Sequence, residues 1–143
     1  MMTLPKSNRA LWQVFKNGRV PLVKEFQGEY LVRMLTNIPS LHRIKHRKSF
    51  KATEQGVIGK NILFRNFEWG NFFLEEGDID KPESLKMVVI NYATGQNTFL
   101  TRRIRDFVRA VDGKRLYLGR FNIVVLGKPV FLGYFSLTKI EQS

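Results

Sequence analysis

Asp106 and Arg109 sit three residues apart in the largely apolar stretch IRDFVRAVD. An acid held against a guanidinium stays ionised and makes a charge-assisted hydrogen bond. Such a pair has two uses. It orients the polar group of a ligand, or it serves as a structural ion pair closing one end of a fold. The rest of the chain offers little other chemistry. There is no cysteine, hence no disulfide, thiolate ligand or cysteine nucleophile. His42 and His46 are spaced to share one helix face toward a metal. They are the only histidines and the stretch around them holds no acid, so no metal is expected. Glu68 beside Trp69 joins Asp106 as a candidate for proton transfer, with an exposed turn carboxylate as the alternative. The five acids of 75–83 surround Gly77 and Pro82, which marks a solvated loop rather than a tuned carboxylate pair. No nucleophile elbow, phosphate-binding loop or dinucleotide fingerprint occurs. No catalytic residue and no cofactor is assigned, and binding is favoured over catalysis.

The elements that must position these residues follow from periodicity. SNRALWQVFKN (7–17) predicts a short helix, with Ser7 as its N-cap, Leu11, Val14 and Phe15 on one face, and Gly18 stopping it. A connector runs from 19 to 27. After Gly28 the period changes to two, and 28–35 predicts a strand. LHRIKHRKSFK (41–51) is open between a helical turn and an exposed strand. Strands are expected over 59–67 and 69–76 with a tight bend between them, and over 85–92, with a turn at 93–97. TRRIRDFVRAVD (101–112) combines helical spacing with β-branched content and is expected to be a strand with a helical turn or bulge at its start. The hairpin of 114–126 and 129–140, joined at Gly127-Lys128, is the clearest feature.

About eight strands in series, without βαβ alternation, predict an all-β antiparallel up-and-down barrel. The chain is expected to be a single domain over 1–143, with helix and connector in 1–27 and the barrel in 28–140. Alternation puts Tyr117, Gly119, Phe121, Ile123 and Val125 on the inner face, joined by Phe131, Gly133, Phe135 and Leu137. Gly119 and Gly133 either vacate room for a ligand or relieve crowding.

Three features together resemble a known family. A short helix precedes Gly28-Glu29-Tyr30, a Gly-x-aromatic opening. Ile104, Asp106, Arg109, Val111, Asp112, Leu118 and Gly119 match an I-x-D-x-x-R-x-V-D…L-G pattern. The chain then ends on a strand hairpin finishing FLGYFSLTK. This arrangement resembles the lipocalin-like, or calycin, barrels, within a GXWXG-related group of unknown function. The resemblance implies a closed barrel with an internal cavity and carries no reaction with it.

The expected function is therefore binding of a small hydrophobic or amphipathic ligand inside the barrel. The candidate pocket residues are Tyr30, Trp69, Arg109, Phe121, Tyr134 and Phe135, with Tyr134 placed at the rim as a hydroxyl for the ligand's polar end. A second reading is a basic module for nucleic acid or another anionic partner. It rests on 24 Lys and Arg against 12 acids, a net charge of +12. Residues 1–71 carry 13 basic and 4 acidic groups, against 11 and 8 in 72–143. The 41–51 run and Arg102, Arg103 and Arg105 would serve that role. The run lacks interleaved aromatics, so a solvated basic loop is its default. A third reading is an enzyme acting inside the barrel. No apolar run reaches the length of a membrane span and no secretory leader pattern is present, so a soluble cytoplasmic protein is expected.

Overall fold

The computed structural model describes residues 3–38, 45–79 and 85–141. One helix, α1 (Asn8–Lys16), precedes eight strands: β1 (Gly28–Met34), β2 (His46–Thr53), β3 (Gly56–Leu63), β4 (Phe67–Ile79), β5 (Leu85–Asn91), β6 (Ile104–Asp112), β7 (Leu116–Val125) and β8 (Lys128–Lys139). Each strand pairs antiparallel with its sequence neighbour. β1 then pairs with β8, Tyr30 opposite Lys139 and Met34 opposite Phe135, which closes the barrel. Closure leaves no sheet edge unpaired.

Closure also divides the strand residues into two sets. One buried cluster draws on all eight strands, among them Tyr30, Phe50, Val57, Phe72, Val108, Tyr117 and Phe135, and lies inside. A second cluster lies outside, where Leu11 and Phe15 of α1 cover Met87, Val89, Leu118 and Tyr134. Ser7 caps α1 as its sequence predicts, its hydroxyl accepting from the Ala10 amide. Residues 101–103 form a 3-10 turn that leads directly into β6, as the mixed pattern of 101–112 predicts.

The structure departs from the expected pattern in four places. The last hairpin turns at Leu126-Gly127 rather than Gly127-Lys128, because Val125 pairs with Lys128 and both turn residues have positive φ. The turn between β3 and β4 falls at 64–66, not at 68, because Phe64 takes a left-handed conformation (φ 58°) normally left to glycine or asparagine. β4 continues to Ile79, so 75–79 is strand rather than loop. Its acids stay at least partly exposed, and Gly77 makes room for Val89, which a β-carbon there would approach to 2.4 Å. Phe131 faces outward with the α1 cluster rather than inward. A register shift between Phe121 and Asn122 pairs Phe131 with Asn122 and inverts the alternation beyond it. Of the stretch left open between helix and strand, His46–Lys51 lies in β2. His42 and the rest of 39–44, like 80–84, lie outside the described residues.

The two barrel ends differ. At one end the connector turns through Val23–Glu25 and inserts Phe26 against Tyr30, Phe50 and Tyr117, with ring centroids 4.8 to 6.0 Å apart. Arg19 and Glu25 fasten this plug through two hydrogen bonds of 3.0 Å, and the Tyr117 hydroxyl donates to the same carboxylate at 2.5 Å. Burial pushes the Glu25 carboxyl up. The hydrogen bonds from Arg19, Tyr117 and the Leu22 amide outweigh it and hold the group at about 2. At the other end, Met34, Ile104 and Phe121 pack onto the interior cluster yet stay only partly buried. Val23 is partly buried in the same way at the Phe26 end, where a hollow is lined by Leu22, Val23, Ala52, Thr53, Val57 and Glu76. We call the end of Met34, Ile104 and Phe121 the mouth.

Candidate functional site

A polar cluster lies inside this aromatic interior, toward the mouth. Strand alternation carries it. His46, Lys48 and Phe50 share the inner face of β2, and Asp106 shares that of β6 with Val108. Asn61 enters from β3, and Tyr92 follows the inward residues Val88 and Ile90 just past β5. Trp69 needs a further device. A bulge at Gly70 (φ 66°) shifts the β3–β4 register so that Trp69 pairs with Asn61. Its ring then stacks on Tyr92 and lies near His46, at centroid distances of 6.4 and 6.1 Å.

Lys48 is the hub. Its ammonium donates to Asn61 Oδ1 at 2.7 Å and to the Tyr92 hydroxyl at 2.5 Å, and lies 3.6 Å from Asp106 Oδ2. The rings of Phe72, Tyr92 and Phe135 surround it at 5.3 to 5.8 Å from their centroids. Asn61 Nδ2 also donates to Tyr92, at 2.9 Å. The Tyr92 oxygen thus accepts twice. Asn61 Oδ1 accepts from His46 Nε2 at 2.9 Å, which leaves His46 Nδ1 as an acceptor.

Lys48 and Asp106 are 3% and 1% exposed, so desolvation governs their charge states. It lowers the ammonium and raises the carboxyl, and their mutual attraction partly restores both. Burial, together with the Lys48 charge, drives His46 down to about 4 against the pull of Asn61, so the imidazole is neutral near pH 7. Burial also raises the Tyr92 phenol well above its ordinary value. Two polar atoms of the cluster lack a hydrogen-bond partner among the described residues: Asp106 Oδ1 and Trp69 Nε1. Among the described residues no three metal-ligating side chains come together.

The sequence-derived site residues fall into two groups. Tyr30, Trp69, Phe121 and Phe135 face the interior. Phe135 lies over Gly119, where a β-carbon would come within 2.2 Å of the ring, so the room vacated by that glycine is occupied. Gly133 admits the chain itself, since a β-carbon there would sit 2.5 Å from the Thr36 carbonyl. Tyr134 and Arg109 lie outside the barrel. Tyr134 is buried under α1 and its hydroxyl accepts from Arg120. Arg109 donates to the Gly18 carbonyl at 2.6 Å and lies over the Phe15 ring. Asp106 and Arg109 are therefore not a pair. An odd spacing on a strand sends them to opposite faces, and Lys48 is the partner of Asp106. Glu68 is exposed and bonded to Lys60, leaving Asp106 as the interior carboxylate of the cluster.

Among the described residues, several of the basic side chains expected to meet an anionic partner are engaged within the protein. Lys48 is inside. Arg47 is bonded to Glu29 and to the Arg65 carbonyl. Arg102 and Arg105 donate to backbone carbonyls of their own loop and strand. Among the described residues no helix is long and apolar enough to cross a membrane.

No known family pattern and no curated protein matches the chain. Among solved structures, a protein from Thermomonospora curvata is similar over 94% of this chain and 88% of its own, with a TM-score of 0.58 and 13% identity. At that identity the likeness shows the shared fold alone. The class is a closed eight-stranded antiparallel barrel of unknown function with a short N-terminal helix.

Proposed function

We propose that the barrel binds a small amphipathic molecule through its mouth, without catalysis. The ligand's polar end meets Asp106 and Trp69, and its apolar part lies along Phe121, Met34 and Ile104. The observation that carries this reading is the unpartnered Oδ1 of Asp106, buried in an aromatic interior. A buried carboxylate with an unused lone pair is costly, and a buried ion pair adds little stability over apolar packing. A ligand that donates to the carboxylate compensates the first cost and supplies a reason for the second. With Trp69 Nε1 as an available donor, the complementary group both donates and accepts, as a hydroxyl or a primary amide does.

Native mass spectrometry of the purified chain tests this directly, with an adduct of small-molecule mass as the supporting result. Fluorescence gives a second readout, because Trp12 lies on α1 outside the barrel and Trp69 lies within. In a Trp12→Phe background, long-chain alcohols and primary amides should shift Trp69 emission saturably. No adduct, and no saturable shift with either class, would reject the proposal.

A further inference from the structure

We propose that the mouth of the barrel docks on an anionic phospholipid bilayer. Phe64, Phe67, Phe99, Leu100 and Leu126 enter the headgroup region, and Arg65, Arg103 and Lys128 meet its negative charge. The inference goes beyond ligand binding and does not depend on it.

Four observations converge. First, these apolar residues are exposed, Phe99 and Leu100 by two thirds and Leu126 by 97%, and all lie at the mouth, four on three separate connections and Phe67 at the start of β4. Second, two of them occupy backbone positions that suit them badly. Phe64 (φ 58°) and Leu126 (φ 50°) are left-handed, and Leu126-Gly127 is a two-residue hairpin turn with positive φ at both positions, where asparagine is preferred before glycine. A bulky side chain that is strained in its turn and touches solvent does not serve the fold, which points to a role outside it. Third, the described residues of the connections at this end (35–38 and 45, 64–66, 92–103, 126–127) contain no acid, and Lys45, Arg65, Arg102, Arg103 and Lys128 lie in or beside them. Glu68, just beyond, is neutralised by Lys60. Fourth, Arg103 lies over the Phe99 ring at 4.3 Å, which places a cation and an apolar surface at the same tip.

Separate convex tips at one end of a cylinder suit a soft planar surface better than a groove-bound strand. Phe64, Phe67 and Phe99 offer faces on which bases stack, but Leu100 and Leu126, the latter the most exposed of the five, offer none and suit insertion among lipids. Apolar side chains beside cations are the recognised combination for anionic bilayer surfaces.

The test is co-sedimentation of the full chain with vesicles of phosphatidylcholine alone and with phosphatidylglycerol added, at low and high salt. Binding is expected only to the anionic vesicles, weakening as salt rises. Leu126→Asn with Phe64→Asn should weaken it about tenfold or more, from lost apolar insertion, with an unchanged or higher melting temperature. Equal binding of wild type and variant to anionic vesicles would overturn the proposal. So would binding to a single-stranded oligonucleotide, or dimerisation that the variant abolishes, in the absence of vesicle binding. Trp69 titration with soluble ligands in vesicle-free buffer reads the interior site separately, so failure of one assay leaves the other interpretable.

Discussion

Lys48 and Asp106 face one another across the barrel, from β2 and β6, with 3.6 Å between ammonium and carboxylate. Three strands separate them in either one direction or the other around the wall, so only closure of the sheet brings the two charges together. Each is buried, and each answers for the desolvation of the other.

Replacing one member of this pair is expected to be severe. Lys48→Met leaves Asp106 buried without a counter-charge and should cost about 3–5 kcal/mol. Combining it with Asp106→Leu should recover most of that loss, because well-packed apolar groups commonly match a buried ion pair. A double-mutant cycle from urea melts measures the recovery. If the pair serves binding, the recovered variant is stable yet silent in the Trp69 titration.

Acid should loosen the mouth before it unfolds the plug. His46 is held at about 4 in the folded protein against an ordinary 6.5. Its contribution is complete above 6.5 and is lost as pH falls from there toward 4, on the order of 2 kcal/mol. Asp106, raised to about 6, works in the opposite sense over nearly the same window, so in thermal melts His46→Gln should gain stability relative to the wild type as pH falls from 7.5 to 4.5. An equal slope in both proteins would assign the acid sensitivity elsewhere.

Glu25 acts in a lower window. Its folded value of about 2 against an ordinary 4.5 means that its contribution is present above 4.5 and fades as pH falls toward 2. Glu25→Gln should lower stability at neutral pH by on the order of 2–3 kcal/mol and make little difference at pH 2. Chemical denaturation at the two pH values provides the comparison.

Gly119 tests how tightly the interior is filled. Alanine there would drive a methyl group into the Phe135 ring, and about 1–3 kcal/mol of destabilisation is expected from overpacking. Adding Phe135→Leu should return part of it, which melting temperatures of the three variants would show.

Leu126→Asn should move stability the other way. Asparagine tolerates the left-handed turn that leucine resists, and a gain of about 1 kcal/mol is expected. A loss instead would mean that the leucine side chain supports the hairpin.

Much of this architecture was legible in the residues. Period-two segments bounded by turn residues marked the strand series, and Ser7 with Leu11 and Phe15 marked α1. The 3-10 turn ahead of β6 was visible in the conflict between its spacing and its β-branched content. Side-chain direction was harder. Bulges at Gly70 and after Phe121 invert alternation locally, which carried Trp69 inward and Phe131 outward. Lys48 was hidden in a run of surface-like charge. Its one signal was the inner-face order His46, Lys48, Phe50, a cation alternating with an aromatic. No local pattern linked it to Asp106, Asn61 or Tyr92, because those contacts arise from pairing between distant segments.

The closing pair of strands also sets an order of events. β1 finds its second partner only in β8, the last strand of the barrel. On a chain emerging from its N-terminus, Lys48 and Asp106 are therefore made while the sheet is still open and water still reaches both. Drying of the interior must wait for the final hairpin. Contacts so distant in sequence predict slow folding, with the late step sensitive to β8.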